Sequence, residues 1–456
     1  MKKLASLLLA LAMIFSLATA AFAEGDGTTP TAKTYSITIN NSAAGYTYEV
    51  YQIFTGDLQN PDVADGEGVQ TTNVLSNIKW GASVTKNGTE DVTVNTDATN
   101  VAAGLNSSNI NTFIAGLTLG NAYKTVNTQT GSKYVIDGLA PGYYLIKNAA
   151  VADGGSYTEY IVEVVEDSTV KPKGNAPTVV KKVKDKNDTQ NTTTDWQDSA
   201  DYDIGDNVPF QLKATLADNV SSYDTYKVIF YDTLSSGLTY NNDAVVKVGE
   251  TVVFNAKNAT QNKTGVSVDC TNGSLTVTID DVKVLGGTNN SVVTVEYTAE
   301  LNENAVIGSA GNPNTVKLEF SNNPYDDDNT GETPDDKVIV FTYKVIVNKV
   351  DKDNNPLEGA GFTLYKKNDG TYELVEAIAT GTGAGKNEFS FEGLDDGDYK
   401  LVESTTPAGY NTIADIEFTV SAEHATDSDN PTLTSLTGEV TTGAVSYTHL
   451  RAHETQ

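Results

Sequence analysis

The chain reads as all-β, built of tandem immunoglobulin-like β-sandwich domains behind a signal peptide. Three features predict this. Tyr, Thr, Val and Ile recur in short alternating runs such as YSITIN, KVIFYDTL, SLTVTI and VVTVEYTAEL, the period-2 pattern of half-buried strands. Gly, Asn and Asp break these runs repeatedly, as the turns of a sandwich require. Helical periodicity is scarce, and the stretch 108–117 (SNINTFIAGL) is the one short candidate.

The start has the order of a secretory leader. Lys2 and Lys3 precede an apolar run over 4–17 and the small-residue site Ala21-Phe22-Ala23, so cleavage is expected after Ala23. The run falls short of the roughly 20 apolar residues that span a bilayer. The remaining chain offers no other candidate span. The end departs from the rest in composition. Arg451 is the sole arginine, and His449 and His453 are two of the 3 histidines. The segment 448–456 therefore reads as a foreign, adapter-derived tail joined to an interrupted frame.

A length of 456 residues suggests about three domains. Two turn-rich segments divide the chain: VKPKGNAPTVV at 170–180 and the acidic NNPYDDDNTGETPDD at 322–336. The expected domains are an N-terminal domain at 24–172, a middle domain at 173–340 and a C-terminal domain at 341–447. A weak internal repeat supports modularity. GLAPGYYLIKN and GLDDGDYKLVE align on Gly142 and Gly397 and differ at their ends, where Asn148 stands opposite Glu403.

Composition narrows the function. The net charge of −30 repels nucleic-acid phosphate and anionic lipid, so neither is an expected partner. Cys270 is the single cysteine, so no intramolecular disulfide can staple this exported chain. No Ser/His/Asp, metal-ligand or paired-carboxylate spacing suggests a secreted hydrolase, and His424 is the only histidine outside the tail. The loop DDDNTGETPDD lacks the regular ligand spacing of a calcium hand. No cofactor and no metal are expected.

The unusual chemistry lies in lysines and acids on apolar strand faces. Alternation puts Tyr343, Val345, Val347 and Lys349 on one face, and Tyr399, Leu401 and Glu403 on another. In the middle domain it groups Val179, Lys181 and Val183, leaving Lys182 outward. A one-residue slip would exchange the two lysines. Tyr226, Val228, Phe230 and Asp232 share a face, as do Asn314, Val316, Leu318, Phe320 and Asn322. Charges aimed into a core are costly unless they pair or react.

Two of these runs carry a family resemblance. YKLVESTTPAGY resembles the E-box of sortase-assembled Gram-positive major pilins, with Ser404 and Thr406 as mild departures. NKVDKDNNPLEGAGFTLYKK resembles the opening of their collagen-adhesin B-type domains, and YTYEVYQIFTGDL followed by LSNIKWG resembles their N-terminal domain. The resemblance implies intramolecular Lys–Asn isopeptide bonds. Burial lowers a lysine's pKa and raises a carboxyl's, and a neutral amine is a nucleophile. In the C-terminal domain Lys349 is the expected nucleophile and Glu403 the acid. The partner asparagine is expected on the last strand and is not assigned. In the middle domain Lys181 is expected to join Asn322, with Asn314 the alternative acceptor and Asp232 the acid. A cross-link closing about 140 residues would contribute roughly 5 kcal/mol by chain entropy. With Asn148 in place of the E-box glutamate, no such bond is expected in the N-terminal domain.

The resemblance also implies a polymerisation lysine at the first junction. Lys173, in Lys171-Pro172-Lys173-Gly174, is the expected residue and Lys171 its nearest rival. The implied function is the shaft subunit of a covalently polymerised, cell-wall-anchored pilus supporting adhesion. Its implied partners are identical subunits, a sortase and a host surface. A minor pilin or wall-anchored adhesin binding matrix or glycan is the alternative. The C-terminal sorting motif of the family does not occur in this sequence.

Overall fold

The computed structural model describes residues 33–59, 74–106, 108–172, 176–442 and 448–452. The leader and Lys173 fall outside the described residues. Among these residues strands dominate, and the two α-helices are one-and-a-half turns each, Thr99–Gly104 and Ile110–Ala115. The second lies within the predicted stretch and buries Ile110 and Ile114 on one face. The first buries Ala102 alone and carries no apolar periodicity to announce it. No helix among the described residues is long and apolar enough to cross a membrane.

Two compact units form. One runs to residue 175 and takes in 322–326; the other comprises 176–321 and the residues from 327 on. In the first, strand Tyr35–Ile39 runs parallel to Ser168–Val170 and antiparallel to Tyr134–Leu139. A second sheet sets Thr47–Gln59 between Gly142–Ala150 and Val74–Trp80. Strand Gly142–Ala150 is buried on both faces because it serves two cores. Tyr144 and Ile146 pack with Ile37, Tyr48 and Tyr134, while Tyr143 and Leu145 pack with Phe54, Trp80 and the helix residue Ile114. The repeated glycines have a backbone cause. A Cβ at Gly142 would sit 2.4 Å from the Phe54 carbonyl oxygen, and Gly397 has φ +144°, a conformation other residues rarely adopt.

The second unit holds two successive cores, the first ending at Val340 and the second beginning at Phe341. The first core lies between two sheets. One contains Thr178–Val183, Asn207–Thr215 and Val292–Leu301 in that order; the other contains Ser199–Asp201, Asp336–Phe341, Asn312–Ser321, Val228–Leu234 and Ser274–Ile279. Alternation is strict here: every second residue of Val292–Leu301 is buried. The acidic stretch read as a linker is partly strand, since Thr330–Glu332 pairs with Asn312–Ser321. In the second core Gly361–Asn368 pairs with Gly397–Thr405, which pairs with Ile416–His424. Tyr343–Lys349 lies between Glu388–Leu394 and Thr448–Ala452, in a register that sets Lys349 opposite Thr448.

A buried ionic knot ties residues of the two cores. Lys366 is 6% exposed, and its ammonium reaches Asp188 at 2.8 Å and both Asp203 and Asp395 at 2.5 Å. These carboxylates hold the Lys366 ammonium well above the usual lysine range against the opposing effect of burial. Removing the cation strands buried negative charge. Lys366→Met is expected to lower unfolding stability by about 3–5 kcal/mol, read from the urea midpoint.

Candidate functional site

Strand Thr178–Val183 settles the lysine register. Val179, Lys181 and Val183 are buried. Lys182 turns outward and pairs with Asp198 at 2.5 Å. Lys181 is completely buried, as is Asp232 on the strand Val228–Leu234. The two side chains come from opposite sheets and meet between them, where the Lys181 Nζ donates to Asp232 Oδ1. Burial pushes the amine down to about 8 despite the pull of Asp232. Burial likewise raises the Asp232 carboxyl. Both shifts move the pair toward the neutral amine and the neutral acid.

Tyr297 completes the centre. It projects from Val292–Leu301, and its hydroxyl donates to Asp232 Oδ2. The Tyr297 hydroxyl oxygen in turn accepts from Lys181 Nζ at 3.1 Å and from Asn314 Nδ2 at 2.7 Å. The amine and the amide are thus held one phenol oxygen apart. The Phe210 and Tyr297 rings, stacked with centroids 5.4 Å apart, lie beside Nζ at 5.3 and 5.5 Å. Asn314 is fully buried, and its Oδ1 has no hydrogen-bond partner. A buried acceptor left without a donor is costly. Here it is the carbonyl that an acid would polarise.

The structure brings Asn314 to the centre and leaves Asn322 out, which corrects the expected pairing. Both asparagines share one face of the same extended run, so alternation does not choose between them. Cross-strand register does. Asn314 pairs with Leu234 and Val316 with Asp232, whereas Phe320, next to the other end, pairs with Val228. Asn322 lies past the strand and belongs to the first unit, where its Nδ2 donates to the Gly155 carbonyl at 3.4 Å. Tyr297 carries no sequence signal beyond its inward parity. Its importance comes from the sheet that faces Asp232.

The C-terminal pair also forms. Lys349 and Glu403 are 3% and 4% exposed and lie 2.8 Å apart. Glu403 Oε2 accepts from the Ile413 backbone N–H at 2.9 Å. Asn148, which replaces the glutamate in the first unit, does different work. Its Oδ1 accepts from both the backbone N–H and the hydroxyl of Thr158 at 2.8 Å, so it ties a strand to the segment that follows.

Two family models match parts of the chain. Residues 204–324 match the family described as Gram-positive pilin backbone subunit 2, Cna-B-like domain, and residues 343–432 match the SpaA prealbumin-like fold domain. The chain is 26% identical over 412 residues to the trypsin-resistant surface T6 protein of Streptococcus pyogenes serotype M6, covering 83% of this chain and 70% of that one. The three-domain T6 backbone pilin structure superposes with a TM-score of 0.58 at 19% identity, covering 94% of this chain and 96% of the other. This likeness establishes the fold. The full-length major pilin SpaD of Corynebacterium diphtheriae gives a TM-score of 0.48 at 18% identity, covering 84% and 90%.

The Tyr297 hydroxyl serves three partners, so its removal tests the centre directly. Tyr297→Phe leaves Asn314 Nδ2 without its acceptor and Asp232 Oδ2 without its donor. A stability loss of about 1–3 kcal/mol is expected, read from the urea midpoint.

Proposed function

We propose that this protein is a pilin, the repeating shaft subunit of a cell-surface fibre, with its middle domain closed by a Lys181–Asn314 isopeptide bond. The observation that carries the reading is the buried quartet of Lys181, Asp232, Tyr297 and Asn314. The neutral Lys181 amine attacks Cγ of Asn314 while protonated Asp232 donates toward the carbonyl oxygen. The new C–N bond forms as the C–NH₂ bond breaks. Asp232 takes up the proton shed by the attacking nitrogen and delivers one to the departing amide nitrogen, so ammonia leaves and the acid is regenerated. A low-dielectric setting strengthens each of these interactions.

The bond suits a load-bearing subunit without a disulfide. It joins the entry strand of the domain to a strand near its exit. Tension applied along the chain then bypasses the strands between Lys181 and Asn314. Lys349 and Glu403 supply the nucleophile and acid of a second such bond in the C-terminal domain. Covalent attachment between subunits is assigned to Lys173 acting through a sortase, with anchoring to the cell wall by the same chemistry. Contact with a host surface would follow from display on such a fibre.

Intact-mass measurement tests the middle-domain bond. The parent chain is expected to be lighter than its sequence mass by one ammonia for this bond. Asp232→Ala and Asn314→Ala should each retain that mass, while Asn322→Ala should still lose it. Loss of condensation in the Asn322 variant alone would overturn the assignment. Separately, Lys173→Ala is expected to abolish the high-mass ladder formed with a sortase, and a persisting ladder would move the junction elsewhere.

A further inference from the structure

His424 ends the strand Ile416–His424 and packs among residues that precede or line the other core of its unit. Its side chain is 8% exposed. Ser199 and Asp201 lie two apart on the short strand Ser199–Asp201, so both project to one side and bracket the imidazole. Ser199 Oγ lies 2.8 Å from His424 Nδ1 and 2.6 Å from the Ala425 carbonyl oxygen. A hydroxyl has one proton, and the carbonyl can only accept. Ser199 therefore donates to Ala425 and accepts from His424, which fixes a proton on Nδ1.

That leaves Nε2 facing two carboxylates. Asp185 Oδ2 lies at 3.7 Å and Asp201 Oδ1 at 3.8 Å. Asp185 is held in this orientation because its other oxygen accepts from the backbone N–H groups of Lys186, at 2.9 Å, and Asp201, at 3.3 Å. The Asp201 side chain is 3% exposed, and its Oδ2 has no hydrogen-bond partner. A nitrogen lone pair set against two carboxylate oxygens is repulsive unless a cation lies between them. Both separations exceed hydrogen-bond reach, so a proton on Nε2 bonds neither oxygen well. A metal bonded at about 2.1 Å, with its ligands opened to about 120°, would space them about 3.6 Å apart.

We propose that His424, Asp185 and Asp201 form a binding site for a divalent transition cation of the zinc class. One imidazole and two carboxylates are borderline donors that suit zinc better than calcium, which prefers oxygen alone. Ser199 is the outer partner that fixes the histidine tautomer, a recurring feature of metal-bound imidazoles. Asp185, 18% exposed at its side chain, gives the site its opening to solvent, and water would complete the coordination. The neighbouring acidic group is different, because Asp188 and Asp203 already close on the Lys366 ammonium. A metal at His424 would bridge residues belonging to two successive cores and act as a second staple beside that knot.

The test uses the full chain with His449→Ala and His453→Ala, since those two histidines could take zinc independently. After chelation, zinc sulfate is titrated by calorimetry and by thermal melting, with calcium chloride as comparator. One equivalent of zinc should bind and raise the melting temperature, calcium should do neither, and His424→Gln should lose the effect. Ser199→Ala should weaken binding about 10–100-fold. If His424→Gln does not fold, X-ray absorption of the cobalt-loaded parent decides: one imidazole with oxygen ligands supports the site, and oxygen ligands alone overturn it. No zinc binding, or binding unchanged in a folded His424→Gln, would show an imidazolium pair only and overturn the proposal.

Discussion

The middle domain depends on an amine in a place where water cannot reach it. Lys181 is fully buried against Phe210 and Tyr297, with Asp232 equally buried beside it. Such a pair gains little as an ion pair, because desolvating two charges offsets their attraction. The same burial favours the uncharged forms, and an uncharged lysine beside a protonated acid is reactive. What is a defect in an ordinary core is, in the proposed function, the means of covalent closure. The surrounding sheets serve this end. One supplies Lys181, Phe210 and Tyr297, the other Asp232 and Asn314, and the sandwich excludes water from the gap.

The second constraint is the handling of charge elsewhere in an acidic chain with 30 basic and 60 acidic residues. Few cations are available, and those that are buried sit where carboxylates converge. Lys366 gathers Asp188, Asp203 and Asp395. His424 lies against Asp185 and Asp201. These groups act between two cores that the chain builds in succession. They supply directional, charge-dependent links where apolar packing alone would leave the modules free to slide.

Much of the fold was legible in the sequence because strand burial has period two. The inward parity of Lys181, Asp232, Lys349 and Glu403 follows from alternation, and the structure buries all four. The E-box and B-type runs carried the resemblance from which the proposed cross-linking chemistry is drawn. The short helix Thr99–Gly104 was not legible, since its apolar content is too small to set a period. Nor was strand Thr330–Glu332, whose polar residues resemble a loop and are held by pairing to a neighbour.

From the sequence alone came the strand-rich architecture, the inward faces and the lysine and aspartate of the buried centre, because these are local properties of alternating side chains. It left Asn314 and Asn322 equivalent, since equal parity cannot locate a residue along a strand. Tertiary structure decided between them through the register that sets Leu234 opposite Asn314. It alone brought Tyr297 from the facing sheet onto both Asp232 and Asn314. It also gathered His424 onto Asp185, Ser199 and Asp201, which lie far earlier in the chain. Register and convergence are relations between strands, and no single strand encodes them.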